Sequence, residues 1–199
     1  MGSKERILDF WFDDLSGSDG IPPERLQLWF GGREETDCLI RARFEADLGR
    51  AAHGKYDHWC QTPRGALALI ILLDQFPRHI HRNTPRAYAF DQQSLSICLE
   101  GMAEGRDRSL AIFERAFFYL PLEHSEDFEI QNRSVRAFEE LLAASSEGMK
   151  EVCGSFLDYA VRHRDIIERF GRFPHRNAAL GRRSTPGEEA FLKEPGSSF

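Results

Sequence analysis

Apolar residues recur along this chain at spacings of three and four and nowhere in sustained alternation, so the pattern reads as helix from end to end. Ile7, Leu8, Trp11, Phe12 and Leu15 make one strongly aromatic face over residues 4–15. A Gly/Ser/Asp/Pro loop over residues 16–23 closes that helix, and a short helical piece follows over residues 24–30. Ile40, Phe44, Leu48 and Ala51 then mark one side of a long helix over residues 34–52, whose other side is charged.

Thr62-Pro63, Thr84-Pro85 and Thr185-Pro186 each stand ahead of a helical pattern. Thr is a good N-cap, and Pro at the first helical position lacks only a donor that would be orphaned anyway. Glu188 completes a capping box in the third copy. These signals predict helices near 63–76, 85–104 and 186–193.

Residues 66–73 are apolar all round, so their helix is expected to be buried on every side. The run is far shorter than the roughly 20 residues that cross a bilayer. It leads into Asp74, Gln75, Pro77, Arg78 and Arg82. Pro77 is expected to end or kink the helix, leaving Asp74 in a last turn whose macrodipole disfavours a carboxylate unless a cation offsets it. Asp91 shares a face with Leu95, Cys98 and Met102, so it either binds a buried Arg or walls a pocket.

A second all-round apolar helix, over residues 110–120, is expected to carry Glu114 and Arg115 into the interior. The segment from Pro121 to Asp127 reads as a break containing Glu123, His124 and Glu126, with Ser125 as N-cap of the next helix, which runs to about Ala144. The last long helix shows Phe156, Ala160, His163, Ile167 and Phe170 in one stripe and closes at Gly171. The expected fold class is all-α: a single domain over residues 1–199, built of antiparallel helix pairs, about eight helices, with the short C-terminal helix packed on it.

At 199 residues, 41% hydrophobic and 29% charged, the chain is large enough for one full core. A net charge of -6 argues against nucleic acid or an anionic membrane as partner. No basic and apolar leader opens the chain, and Cys38, Cys60, Cys98 and Cys153 form no C-x-x-C pair, which fits reduced thiols in a cytoplasmic protein. Local charge says something different. All but four of the 26 basic residues are Arg, and seven of them fall between Arg162 and Arg183. Arg grips carboxylates and phosphates with a two-pronged fork that Lys lacks.

The candidate chemistry gathers around residues 163–177, reading HRDIIERFGRFPHRN. His163 is either a satisfied core histidine or an acid–base group reached by Glu123. Arg115, Arg172 and Arg176 either make ion pairs with Asp74, Asp91, Glu114 and Glu123 or leave one Arg face open to an anion. Gln75, Arg78, Arg82, His124, Glu126, His175 and Asn177 complete the set of candidate ligand-binding residues. Carboxylates and imidazoles abound here, but no Glu-x-x-His occurs, so no metal-ligand set and no cofactor is assigned. No nucleophile elbow or phosphate loop occurs either. Two functions fit: a binding or scaffold protein whose pocket takes an anionic small molecule or peptide, or a small hydrolase or transferase using Glu123 with His124, His163 or His175, with or without a divalent metal.

Several motifs together carry a resemblance: DFWF at residues 9–12, LLDQFPR at 72–78, FFYLPLEHSED at 117–127, FGRFPHRN at 170–177, LGR at 180–182 and STPGEE at 184–189. They resemble a bacterial family catalogued as domain of unknown function 924, over nearly the whole chain. The resemblance implies helix pairs like those of tetratricopeptide proteins and no established activity. His79 and His81 stand where that pattern leads one to expect Asn and an aromatic or apolar residue, and no site is built on them.

Overall fold

A computed structural model describes residues 2–13, 15 and 20–197. Among these residues the chain is all-α, with no strand. The helices are α1 (Ser3–Phe12), α2 (Pro23–Phe30), α3 (Glu34–Ala52), α4 (Pro63–Ile70), α5 (Phe76–Ile80), α6 (Asp91–Ala103), α7 (Ile112–Glu123), α8 (Phe128–Ala144), α9 (Lys150–Phe170) and α10 (Pro186–Phe191). The loop expected over residues 16–23 lies partly outside the described residues.

The apolar run behaves as its pattern demands. Ala66 to Leu73 are all buried, and α4 packs against α1, α6 and α7. Around it lies an aromatic cluster in which the Trp29 and Phe117 rings are 4.6 Å apart and those of Phe44 and Phe76 4.8 Å. Trp29 Nε1 donates to the carbonyl of Trp11 at 2.9 Å, so the buried indole of α2 is satisfied by α1. Each ring buries a large area, at about 25 cal/mol per Å² of apolar surface, and this core holds the bundle together.

Several local expectations need correction. Pro77 does not end the helix. The chain passes from α4 through a π turn, Ile71–Gln75, straight into α5, and Phe76 N–H reaches back to the Ile71 carbonyl. The wider turn absorbs a residue whose ring would otherwise strike the preceding turn. Asp74 therefore sits inside a continuous helix rather than at its end. Thr84 caps nothing; its hydroxyl donates to His81 O at 2.7 Å, Pro85–Tyr88 is a 3-10 turn, and α6 begins only at Asp91. Pro121 lies within α7, which runs on to Glu123. Asp127, not Ser125, caps α8, accepting from Glu129 and Ile130 N–H at 2.8 and 3.0 Å. Glu114 and Arg115 are only half buried.

Other signals hold. Thr62 accepts from Gly65 N–H, and Thr185 with Glu188 forms the expected capping box. Gly171 closes α9 with φ of 68°, a left-handed conformation that favours glycine. Beyond it the chain folds back along the body and is clasped there. Arg182 donates to both carboxylate oxygens of Glu126 at 2.7 and 2.9 Å, and Glu126 also accepts from Phe173 N–H at 2.8 Å. Arg172 forks onto Glu188 at 2.6 and 2.8 Å. Phe173 is buried against Ile166, Ile167 and Phe191 in a second, smaller core.

The contact between α6 and α7 leaves room only for a small residue. A Cβ on Gly101 would lie 2.5 Å from Cζ of the fully buried Phe118. Helix propensity favours Ala over Gly by about 1 kcal/mol, whereas overpacking a core costs about 1–3 kcal/mol. Gly101→Ala is expected to lower unfolding stability by on the order of 1 kcal/mol net, read from the urea midpoint.

Candidate functional site

The π turn does more than pass a proline. It places Asp74 and Gln75 at the point where α7 ends and the C-terminal segment returns. Asp74 is fully buried, and three groups answer its carboxylate. Gln75 Nε2 donates at 2.6 Å, His124 Nδ1 lies at 2.8 Å, and Arg78 Nη1 stands at 3.5 Å while donating to the Asp74 carbonyl at 2.7 Å. Arg78 also forks onto Asp91 at 2.8 and 3.1 Å, tying α5 to α6. On the next turn Arg82 forks onto Asp37 of α3 at 2.7 and 2.8 Å, and His79 Nδ1 meets the same carboxylate at 2.8 Å.

These groups border a cavity of about 1040 Å³. Arg78, His79, Arg82, Gln75, Glu123, His124, His163, His175 and Arg176 are among its lining residues. So are the apolar Leu26, Trp29, Phe30, Leu120, Val152 and Phe156. The lining thus mixes guanidiniums, imidazoles and the exposed carboxylate of Glu151 with apolar and aromatic surface. Leu26 and Phe30, both in the lining, are 43% and 57% exposed.

Burial sets the protonation states. At Asp74 burial opposes ionisation, but Arg78, His124 and Gln75 together overcome it and hold the carboxyl well below the usual range. His124 therefore donates from Nδ1, and its Nε2 makes no hydrogen bond among the described residues. Glu123 is pushed up to about 8, by burial first and then by the negative charge of Asp74. His163 stands beside it, Nδ1 to Oε1 at 3.2 Å, and donates to the Tyr159 carbonyl at 2.9 Å. Burial brings His163 and His175 down to about 3 and also lowers His79 and His124. Arg176 is lowered to about 10, first by burial and then by Arg78, and remains a cation at neutral pH. The wall thus carries three guanidiniums among neutral imidazoles and a protonated carboxyl.

Not every candidate comes here. Glu114 pairs with Arg64 at 3.3 Å, and Arg115 donates to the Tyr119 hydroxyl, which itself donates to Asp107; neither lines the cavity. Glu126, Arg172 and Asn177 do not line it either. They form the clasp behind the wall, where Asn177 Oδ1 accepts from Arg182 at 3.0 Å. Asp74 and Asp91 lie behind Arg78 rather than among the lining side chains. His79, Tyr88, Trp29 and Phe30 line the cavity without having been read from sequence. One signal was available: Asp37 is an acid on α3 in need of a partner, which His79 supplies. Among the described residues, no group of three or more His, Cys, Asp or Glu side chains is arranged to hold a metal ion, and no helix is long and apolar enough to cross a membrane.

Glu123 makes the stability of the site depend on pH. The carboxyl ionises near 4.5 when unfolded and near 8 in the fold, so between these values the native state holds a proton that the unfolded chain has lost. Its contribution is complete below about pH 4.5 and is lost as pH rises toward 8. Glu123→Gln keeps the neutral shape and removes this loss. The Tm of the variant relative to wild type is expected to climb steadily across that window; parallel Tm curves for the two proteins would show that Glu123 is ionised in the fold.

Comparison with known proteins agrees with this architecture. A solved structure titled as a protein of unknown function, ATU0120 from Agrobacterium tumefaciens, is similar at 35% identity and a TM-score of 0.79, covering 96% of each chain. The curated proteins return no match. The description "bacterial protein of unknown function (DUF924)" matches residues 7–196, and with nearly its whole length so covered the chain belongs to that family.

Proposed function

We propose that this protein binds a small amphipathic anion in the cavity, its charged end on the Arg/His wall and its body on the apolar side. The observation that carries the reading is the arrangement of charge. Arg78, Arg82 and Arg176 line the cavity, whereas the carboxylates that balance them, Asp74, Asp91 and Asp37, do not. A purely structural ion-pair network has no need to turn its cations toward a void and its anions away. Guanidinium is the group best suited to such a task, because its planar fork meets oxyanions with paired hydrogen bonds. The cavity is at the upper end of the volumes that hold small ligands. On this reading the protein is cytoplasmic, its helix pairs are a tetratricopeptide-like scaffold, and a small molecule is preferred to a peptide.

One further observation favours a second reading, a small hydrolase or transferase. Asp74 orients His124 as a carboxylate orients a catalytic base, and the neighbouring Glu123 keeps a proton it could give up. The test is turnover of chromogenic acyl or phosphoryl esters that is lost in His124→Gln while anion binding survives.

For the binding reading, thermal shift separates the outcomes. A ligand at a hundred times its Kd adds about 2.7 kcal/mol of stability. Phenylalkyl anions are expected to raise Tm with concentration, and the matching alcohols are not. Ser155 is an exposed residue of the lining. Ser155→Trp is expected to leave the ligand-free Tm nearly unchanged and to abolish the shift. Anions that stabilise this variant as well as wild type would be binding elsewhere.

A further inference from the structure

Asp74 fixes more than the position of His124. Its Oδ1 accepts from His124 Nδ1 at 2.8 Å, and an imidazole that gives its Nδ1 proton to a carboxylate is left with a lone pair on Nε2. Burial, and after it the Arg78 charge, disfavours a second proton on the ring. His124 therefore presents an acceptor.

That acceptor can be reached. His124 lines the cavity and its side chain is 15% exposed. Nε2 makes no hydrogen bond among the described residues, yet it is not one of the side-chain atoms enclosed without a partner, so it opens onto the cavity.

Its neighbour on the wall is a donor. Arg78 Nη1 stands 3.5 Å from the same Asp74 oxygen, which holds the guanidinium and the imidazole side by side. The fork of Arg78 is spent on Asp91, but its Nε–H is neither hydrogen-bonded nor enclosed among the described residues, and the side chain is 20% exposed. A guanidinium has donors and no acceptor. A ligand seated against both groups thus meets a donor from one and a lone pair from the other.

An anion that carries only acceptors satisfies Arg78 but sets lone pair against lone pair at His124. A hydroxyl on the first or second carbon beyond the charge removes that conflict, because it donates to Nε2 while the charge stays on the guanidinium. An ammonium would donate too, but as a further cation beside Arg78, and like charges in a partly desolvated space repel.

We propose that the ligand is a hydroxylated organic acid with an apolar body, its anionic group on Arg78 Nε and its hydroxyl donating to His124 Nε2. This assignment rests on the anion-pocket reading and names the chemical class and the residue that selects it.

The test is titration calorimetry on the full chain with probes that share a body: 2-hydroxy-4-phenylbutanoate, 3-hydroxy-4-phenylbutanoate, the parent 4-phenylbutanoate and 2-amino-4-phenylbutanoate. At least one hydroxy acid is expected to bind wild type about tenfold tighter than the parent, and the amino acid is not. His124→Asn removes Nε2 but keeps a donor for Asp74, because the Asn amide nitrogen takes the place of Nδ1. In that variant the parent is expected to bind within a few-fold of wild type, and the hydroxyl is expected to add nothing. Hydroxy acids that bind wild type no better than the parent overturn the assignment and leave the anion pocket standing. So does a hydroxyl preference that survives in His124→Asn, or an amino acid that binds as well as the hydroxy acids. If His124→Asn does not fold, nitrogen-15 NMR of histidine-labelled wild type carries the test: the preferred hydroxy acid is expected to shift the His124 Nε2 resonance further than the parent does, and an equal response to both overturns the assignment. Failure of every probe to bind overturns the pocket reading as well.

Discussion

A single buried carboxylate organises this structure. Taking an aspartate out of water costs several kcal/mol unless its lone pairs are met. Asp74 is met from its own turn by Gln75, from the next turn by Arg78 and from the end of another helix by His124. Each partner carries the constraint outward. Arg78 fixes Asp91 and with it the start of α6, and Arg176 joins that same aspartate to the His124 carbonyl. The relative placement of α5, α6, α7 and the C-terminal segment thus follows from satisfying one charge. The apolar core holds these elements together without specifying their register so narrowly, because hydrophobic contact is non-directional.

The cavity lies where regular helix is interrupted. The π turn sets Asp74 and Gln75, Pro121 precedes Glu123 and His124 by a few residues, and the 3-10 turns Pro85–Tyr88 and Pro174–Arg176 supply Tyr88 and Arg176. A straight helix presents one stripe to its neighbours. An interruption re-aims side chains and concentrates polar groups that a stripe would have kept apart, and such departures from local regularity gather at functional sites.

The helical period was enough to read the fold class, the bounds of α3, the capping at Thr62 and Thr185 and the closure of α9 at Gly171, because each depends on residues within a turn of one another. The misread positions share a cause. Thr84, Ser125 and Pro77 each had a plausible local role, and a competing partner took it: the His81 carbonyl for Thr84, the better-placed Asp127 for the cap, and a π turn that tolerates the proline. Glu114 and Arg115 sat in an apolar run, yet the bundle turns that side of α7 toward water. The polar wall was partly legible, since unpaired acids and a cluster of Arg call for one another. The apolar wall was not. Trp29 and Phe30 look like ordinary core residues in sequence, and only the fold brings them into one cavity lining with residues of α9.

The clasp between Glu126 and Arg182 has a consequence for how the molecule comes into being. Most contacts of a helical bundle are local and form early, whereas the bond from Arg176 to Asp91 closes a loop of 85 residues and the clasp itself one of 56. A chain emerging from the ribosome can pair its first helices long before residues 172–188 exist. The wall that bears Arg176 is laid on last, over a body already formed. The part of the cavity lining that carries His175 and Arg176 can therefore be completed only after that segment has been made.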